Sequence, residues 1–153
     1  MTASTDRRSY TIKEVAALTG LPASTLRYYE SIGVISPISR GASSKHRMYD
    51  EEDLDQLMGV ACLAATGLSV ADMRTYVANN HAGRQAAPDQ IAMLSAQEAR
   101  LRDEAAHLEL RQRYVRLKID YWRAVEAGDD ERVELIAEQA AAMAGTLCRT
   151  RTH

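Results

Sequence analysis

The feature that most restricts this chain is a stretch from residue 89 to residue 127 containing neither Gly nor Pro. Those are the two residues most costly in a helix interior, so the stretch predicts one helix far longer than average. Propensity alone does not hold such a helix in water; an apolar face has to be covered. Its apolar residues recur at heptad spacing. Leu94, Leu101, Leu108, Val115 and Trp122 take the d positions, and Ile91, Glu98, Ala105, Gln112 and Ile119 the a positions. The unbroken apolar d series points to a coiled-coil seam, while Glu98 and Gln112 at a disfavour a long parallel zipper. An antiparallel pairing, or packing on the head of another subunit, tolerates them better. The competing reading is a helix packed within its own monomer, but after the break Gly128-Asp129-Asp130 only one further helix, over residues 131–146, is left to cover it. A dimerisation surface of Leu94, Leu101, Leu108, Val115, Ile119 and Trp122 is therefore expected.

The N-terminal part is built from shorter pieces. Thr11 with Glu14 three residues on is a capping-box pattern, Ile12, Val15, Ala16 and Leu18 supply an apolar face, and Gly20 ends the helix. Leu21-Pro22 turns the chain into a second helix reaching about Ser31, and Gly33 stops that one. Two short helices around a Gly-containing turn form the helix-turn-helix pattern, whose second helix is the reader. Val34-Ile35 and Met48-Tyr49 are β-prone pieces around a loop bearing Pro37, Gly41, Arg40, Lys45, His46 and Arg47, which predicts a small basic hairpin or wing. A third helix follows over residues 50–65, with an acidic first turn suited to the helix dipole and Leu54, Leu57, Met58, Ala61 and Cys62 as its stripe. Ser69 with Asp72 caps a fourth, which runs to about Asn80. Residues 81–88, with Gly83 and Pro88, read as a linker.

The net charge of −2 argues against nucleic acid only as an average. Residues 1–49 hold seven Lys/Arg against three Asp/Glu and four of the seven tyrosines, whereas the remainder carries a balance of −6. A basic, Tyr-bearing end on an acidic body suits a DNA-reading head. No apolar run approaches the roughly 18 residues of a membrane span, so no membrane partner is expected. Residues 1–8 lack a signal peptide's apolar stretch. Two cysteines, Cys62 and Cys148, do not make a disulfide scaffold, and a cytoplasmic setting is expected. An enzyme is not expected: there is no Cys-x-x-Cys, no Gly-rich phosphate loop and no His-Glu-x-x-His, and His46, His81, His107 and His153 are scattered.

Several of these motifs fall in an order that resembles one family. Tyr10-Thr11-Ile12-Lys13-Glu14-Val15-Ala16, Thr25-Leu26-Arg27-Tyr28-Tyr29-Glu30, Gly33-Val34-Ile35, Arg47-Met48-Tyr49-Asp50 and Gly67-Leu68-Ser69 together resemble the winged-helix head of the MerR family of transcription regulators. The likeness extends over residues 10–125. It implies a mainly α fold: a winged helix-turn-helix head over residues 9–80, a linker at 81–88 and a dimerisation helix over 89–127 paired as an antiparallel coiled coil, to which the residues themselves add a short C-terminal helix and tail over 129–153. It further implies a cytoplasmic homodimer on double-stranded promoter DNA, bending and untwisting an overlong spacer for RNA polymerase in response to an effector. Within that frame Arg27 suits phosphate or guanine, Thr25 a phosphate or base edge, and Tyr28 a phosphate and sugar. Arg40, Lys45 and Arg47 suit backbone contacts that position without specifying sequence. Tyr29 is expected to turn inward.

The effector is unknown from the sequence. No metal or cofactor is expected, because the cysteine pair of the metal-sensing relatives is missing and one Cys with one His, Cys148 and His153, does not close a site. Cys62 stands where the aldehyde- and electrophile-responsive branch of the family resembles this chain. Two readings stay open for it, a sensor thiol and an inert core cysteine among apolar neighbours. A regulator sensing an apolar small molecule near Tyr121, Trp122 and Met143 is a further reading. A coiled-coil scaffold that binds no DNA is the alternative of a different class.

Overall fold

The computed structural model describes residues 8–149. Six α-helices follow in order: α1 (Ile12–Thr19), α2 (Ala23–Ser31), α3 (Glu51–Ala65), α4 (Val70–Asn80), α5 (Ala87–Ala127) and α6 (Asp130–Arg149), with a 3-10 turn at Gly83–Ala86. The chain divides into two compact units, one up to Leu94 and one from Ser95.

The first unit is organised by local signals. Thr11 Oγ1 accepts from the Glu14 N–H at 3.3 Å and starts α1. Gly20 ends it at φ 73°, a left-handed conformation that glycine adopts without Cβ strain. Asp50 is the N-cap of α3 rather than its first residue, and with Asp53 it closes a reciprocal box: Asp53 N–H to Asp50 Oδ1 at 2.8 Å, Asp50 N–H to Asp53 Oδ2 at 3.1 Å. Burial holds the Asp53 carboxyl above its ordinary range, against the Asp50 N–H that lowers it. The helices surround a core of Val15, Leu26, Tyr29, Val34, Ile35, Ile38, Tyr49, Leu57, Val60, Leu68 and Met73, all at most 6% exposed.

Three expectations change here. The buried face of α3 is Leu57 and Val60, flanked by Leu54, Leu63 and Ala64, while Met58 and Cys62 are exposed. The predicted stripe was rotated about the helix axis because Val60 and Leu63 were left out of it. The wing is a loop, not a two-stranded hairpin. Its two arms meet in one antiparallel bridge, Arg40 with Arg47, its far end is bridged through Tyr49 to Tyr10 before α1, and no longer ladder forms among the described residues. Val34, Ile35 and Ile38 turn into the core instead of pairing with residues 48–49, so Tyr49 takes its backbone partners from Tyr10 at 2.7 and 2.9 Å. Finally, residues 83–86, expected within a linker, form the 3-10 turn with Ala86 buried, and α5 already starts at Ala87. Pro88 is accommodated because a proline in the first turn forfeits no intrahelical bond.

In the second unit α5 and α6 make a helical hairpin. Gly128, at φ 69°, and Asp129 donate back to Val125 and Ala124 carbonyls, closing α5. Asp129 Oδ1 then caps α6 through the Arg132 N–H at 3.1 Å. Leu110, Tyr114, Leu117, Tyr121 and Ala124 recur at spacings of four and three and lie half-buried or buried, as do Val133, Ile136, Ala140, Met143 and Leu147 of α6. On a helix turning 100° per residue, the first set lies opposite the stripe of Leu101, Leu108, Val115 and Trp122. Long α5 thus carries two apolar stripes on opposite sides. α6 covers one of them. It extends to Arg149, beyond the predicted end, and the expected tail at residues 150–153, including His153, lies outside the described residues.

Candidate nucleic-acid interface

Helix α2 sorts its side chains by position. Leu26 and Tyr29, three residues apart, are buried, and this forces their neighbours outward. Arg27 is exposed, Tyr28 is 52% exposed and Thr25 is half-buried. Tyr29 thus sits inward as expected, with its ring 6.2 Å from that of Tyr28. The outward set is what a reader helix requires: a guanidinium, a phenol and a hydroxyl on a rigid element anchored from behind.

The wing loop is tied down by its own backbone. Gly41 N–H donates to His46 O and Lys45 N–H to Gly41 O, both at 2.9 Å, and Met48 N–H to Ser39 O at 2.8 Å. Lys45 adopts φ 55°, uncommon for a residue with a side chain. Its carbonyl is held by Arg40 Nη1 at 3.2 Å. Both Arg40 and Lys45 are exposed.

Arg47 is placed differently. Its Nε donates to Glu30 Oε2 at 2.6 Å, with side-chain exposures of 21% and 15%. Glu30 Oε1 accepts from the Ile38 N–H at 3.2 Å. One carboxylate therefore ties the end of α2 to both the turn after it and the far side of the wing. Burial pushes the Glu30 carboxyl up, but the bonds from Arg47 and Ile38 and the charges of Arg47 and Arg40 outweigh it, holding the group below its ordinary range. Arg47 joins the site as a brace on the wing as well as a cation.

Two further contributors are not evident from the sequence. Glu30 enters there only as an acid in a basic head, since its partner lies 17 residues away. Arg8 stacks over the Tyr10 ring at 5.7 Å, and Tyr10 is bonded to Tyr49 at the end of the wing, so a basic residue preceding α1 is held beside the loop. Tyr49 itself is fully buried, and its hydroxyl has no hydrogen-bond partner among the described residues. Burial raises its phenol, with Glu30 and Asp53 adding to the effect and Arg47 and Arg27 opposing it.

The remaining expected residues lie elsewhere. Cys62 is exposed, not in the core, and lines a cleft of 370 Å³ between α3 and α4 together with Gly59, Leu63, Tyr76, Val77 and Asn80. Cys148 is also exposed. Leu94, Leu101, Leu108, Val115, Ile119 and Trp122 are between 39% and 65% exposed along α5. Tyr121, Trp122 and Met143 are not brought to one site. Trp122 stands on the exposed stripe, its ring edge-on to Tyr121 at 5.4 Å, while Met143 of α6 lines a cleft between α5 and α6. Among the described residues no three His, Cys, Asp or Glu are grouped to hold a metal ion, and no helix is long and apolar enough to cross a membrane.

The first unit is a helix-turn-helix head with a basic wing loop braced onto its second helix. Residues 10–80 match the MerR HTH family regulatory protein model, which makes this segment a MerR HTH family domain. Over 65 residues it is 43% identical to the HTH-type transcriptional regulator AdhR of Bacillus subtilis, covering 42% of this chain and 46% of AdhR. The chain thus spans about half the length of these curated relatives, AdhR and a second regulator of Bacillus subtilis. Among solved structures, a protein assigned to the MerR family of transcriptional regulators from Listeria monocytogenes superposes with a TM-score of 0.66 at 27% identity, covering 85% of this chain and 98% of that one. The same fold is seen in HiNmlR, a MerR family regulator lacking the sensor domain and bound to promoter DNA, at a TM-score of 0.67 and 22% identity over 84% of this chain and 96% of that one.

Proposed function

We propose that the chain is a cytoplasmic, homodimeric transcription regulator that binds double-stranded promoter DNA through the two heads of the dimer. The observation that carries this reading is α2, with Leu26 and Tyr29 anchored in the core and Thr25, Arg27 and Tyr28 presented outward. Arg27 donates to phosphate or bidentately to guanine, and Tyr28 offers a hydroxyl to the backbone. Arg40 and Lys45 supply phosphate contacts from the wing, and the Arg47–Glu30 pair keeps them in register with α2. Arg8 adds a further cation beside the wing. The exposed stripe of α5 supports self-association, because such a row of large apolar side chains is costly to leave in water. Two heads held at a fixed spacing act on a promoter by deforming the duplex between them, which alters its presentation to RNA polymerase.

The test is duplex affinity at two salt concentrations for the wild type and Arg27→Ala. Phosphate neutralisation makes the wild-type affinity fall steeply with salt, and loss of the guanidinium weakens binding by roughly tenfold or more, equivalent to about 1–3 kcal/mol. Equal, salt-insensitive affinities leave a coiled-coil scaffold as the better reading.

For the effector, the exposure of Cys62 favours a thiol sensor. Its sulfur opens onto the cleft between α3 and α4, where the sulfur adds to an aldehyde's carbonyl carbon as the C=O π bond opens and the thiol proton passes to the carbonyl oxygen, giving a hemithioacetal. Promoter output under aldehyde challenge should respond in the wild type and stay flat in Cys62→Ser; an unchanged response in the variant discards the thiol mechanism.

A further inference from the structure

The α5–α6 hairpin carries a second chemical feature, apart from the head and from the exposed stripe. One flank of the hairpin holds a cleft of 510 Å³ walled by Arg113, Arg116 and Leu117 of α5 and by Gln139, Ala142 and Met143 of α6. That volume lies in the range that encloses small organic ligands. Arg113 and Arg116 are spaced one turn apart, and neither has an ion-pair or hydrogen-bond partner among the described residues. The acid on the same wall, Asp120, lies 3.5 Å from Arg123, which shares its charge. Two cations therefore face the cleft against one partly compensated anion. Beneath them Leu117 and Met143 are half-buried and present an apolar floor that an unbranched thioether adapts to its occupant.

We propose that this flank binds a small amphipathic monoanion: a carboxylate, or a group of like geometry, on a short apolar body. Guanidinium groups pair with carboxylates through two parallel bonds, which a hydroxyl or an ammonium does not reproduce. The Gln139 amide offers a neutral polar contact midway. The character of the groove then reverses. The adjoining cleft of 420 Å³ shares Leu117, Asp120 and Gln139 and adds two acids, Asp129 and Glu131, against one cation, Arg132, with Leu135 and Ile136 as apolar lining. The excess of carboxylates at that end repels a second negative charge on the occupant, so a monoanion fits and a dianion of that length does not.

The site is tested on the full chain with octanoate as probe, by titration calorimetry, against acetate, octanol and octylammonium. Octanoate should bind saturably, and each of the other three should bind at least about tenfold more weakly. Arg113→Ala combined with Arg116→Ala should weaken octanoate by about tenfold or more, and Ala142→Trp, at an exposed position, should block it by filling the cleft. Circular dichroism and sedimentation confirm that both variants keep fold and assembly. The proposal is overturned by octanoate failing to saturate, by octanol binding as well as octanoate, or by the double arginine variant binding unchanged. Because the readout is binding to the protein alone, its outcome is separate from that of the DNA reading.

Discussion

The head and the hairpin treat their large apolar side chains in opposite ways. Leu26, Val34, Tyr49 and Leu57 of the head are wholly buried within their own unit, whereas Leu108, Val115 and Trp122 of α5 are more than half exposed. The head draws its core from four helices and a wing loop that approach from several directions. The hairpin has only α6 to set against α5, and one helix covers one side of another. The difference separates a unit that covers its large apolar side chains within itself from one that leaves a stripe bare, the division that the proposed DNA-binding head and self-associating body require.

The contrast can be broken most strongly at the head. Leu26→Ala removes a fully buried side chain between α2 and the core and should cost about 2–5 kcal/mol, read as a lowered midpoint in chemical denaturation. A stripe residue truncated in the monomer should cost far less, and equal losses at Leu26 and Leu108 would contradict the division. The second effect is on assembly. Leu101→Glu with Leu108→Glu places charges on the exposed stripe, and should weaken self-association by about a hundredfold or more, since an unpaired charge buried at a seam is costly. Sedimentation measures this, while the helical signal of the head persists.

The smallest effect sharpens how the head is held together. Glu30→Gln removes the charge that braces Arg47 and should destabilise by about 1–2 kcal/mol at neutral pH. The sign of its pH dependence follows from the lowered pKa of Glu30. The carboxylate stabilises the fold above its ordinary, unfolded-state range, and that contribution is lost as pH falls through the lower folded-state value. The gap between wild type and Glu30→Gln should therefore close on acidification; a gap that widens would show that the pair does not brace the wing.

The helix-turn-helix was legible because its signals are local. Thr11, Gly20, Gly33 and Ser69 mark helix ends by backbone chemistry within three or four residues, and the apolar spacing of Leu26 and Tyr29 dictates which face of α2 remains outside. Arg27 and Tyr28 followed from that. The wing was legible as a basic loop but not in its pairing, because Val34 and Ile35 have equal reason to enter a strand or a core. Arg47 was readable as a cation and not as a brace, since nothing within its neighbourhood in sequence names Glu30. The rotation of α3 that exposes Cys62 turned on whether Val60 or Met58 enters the core of the head, a question of shape in three dimensions.

The long helix shows the boundary between the two kinds of information most clearly. Its existence, its length and its heptad stripe were determined by the sequence alone, because the absence of Gly and Pro and the spacing of side chains act through the backbone and need no other part of the molecule. Which stripe is used within the chain was decided only by the tertiary structure. Leu110, Tyr114, Leu117 and Tyr121 repeat as regularly as Leu101, Leu108 and Val115, and two stripes on opposite sides of one helix cancel each other in any measure of one-sidedness. Only the turn at Gly128, which folds α6 back onto one side, makes the two unequal, leaving the other stripe bare.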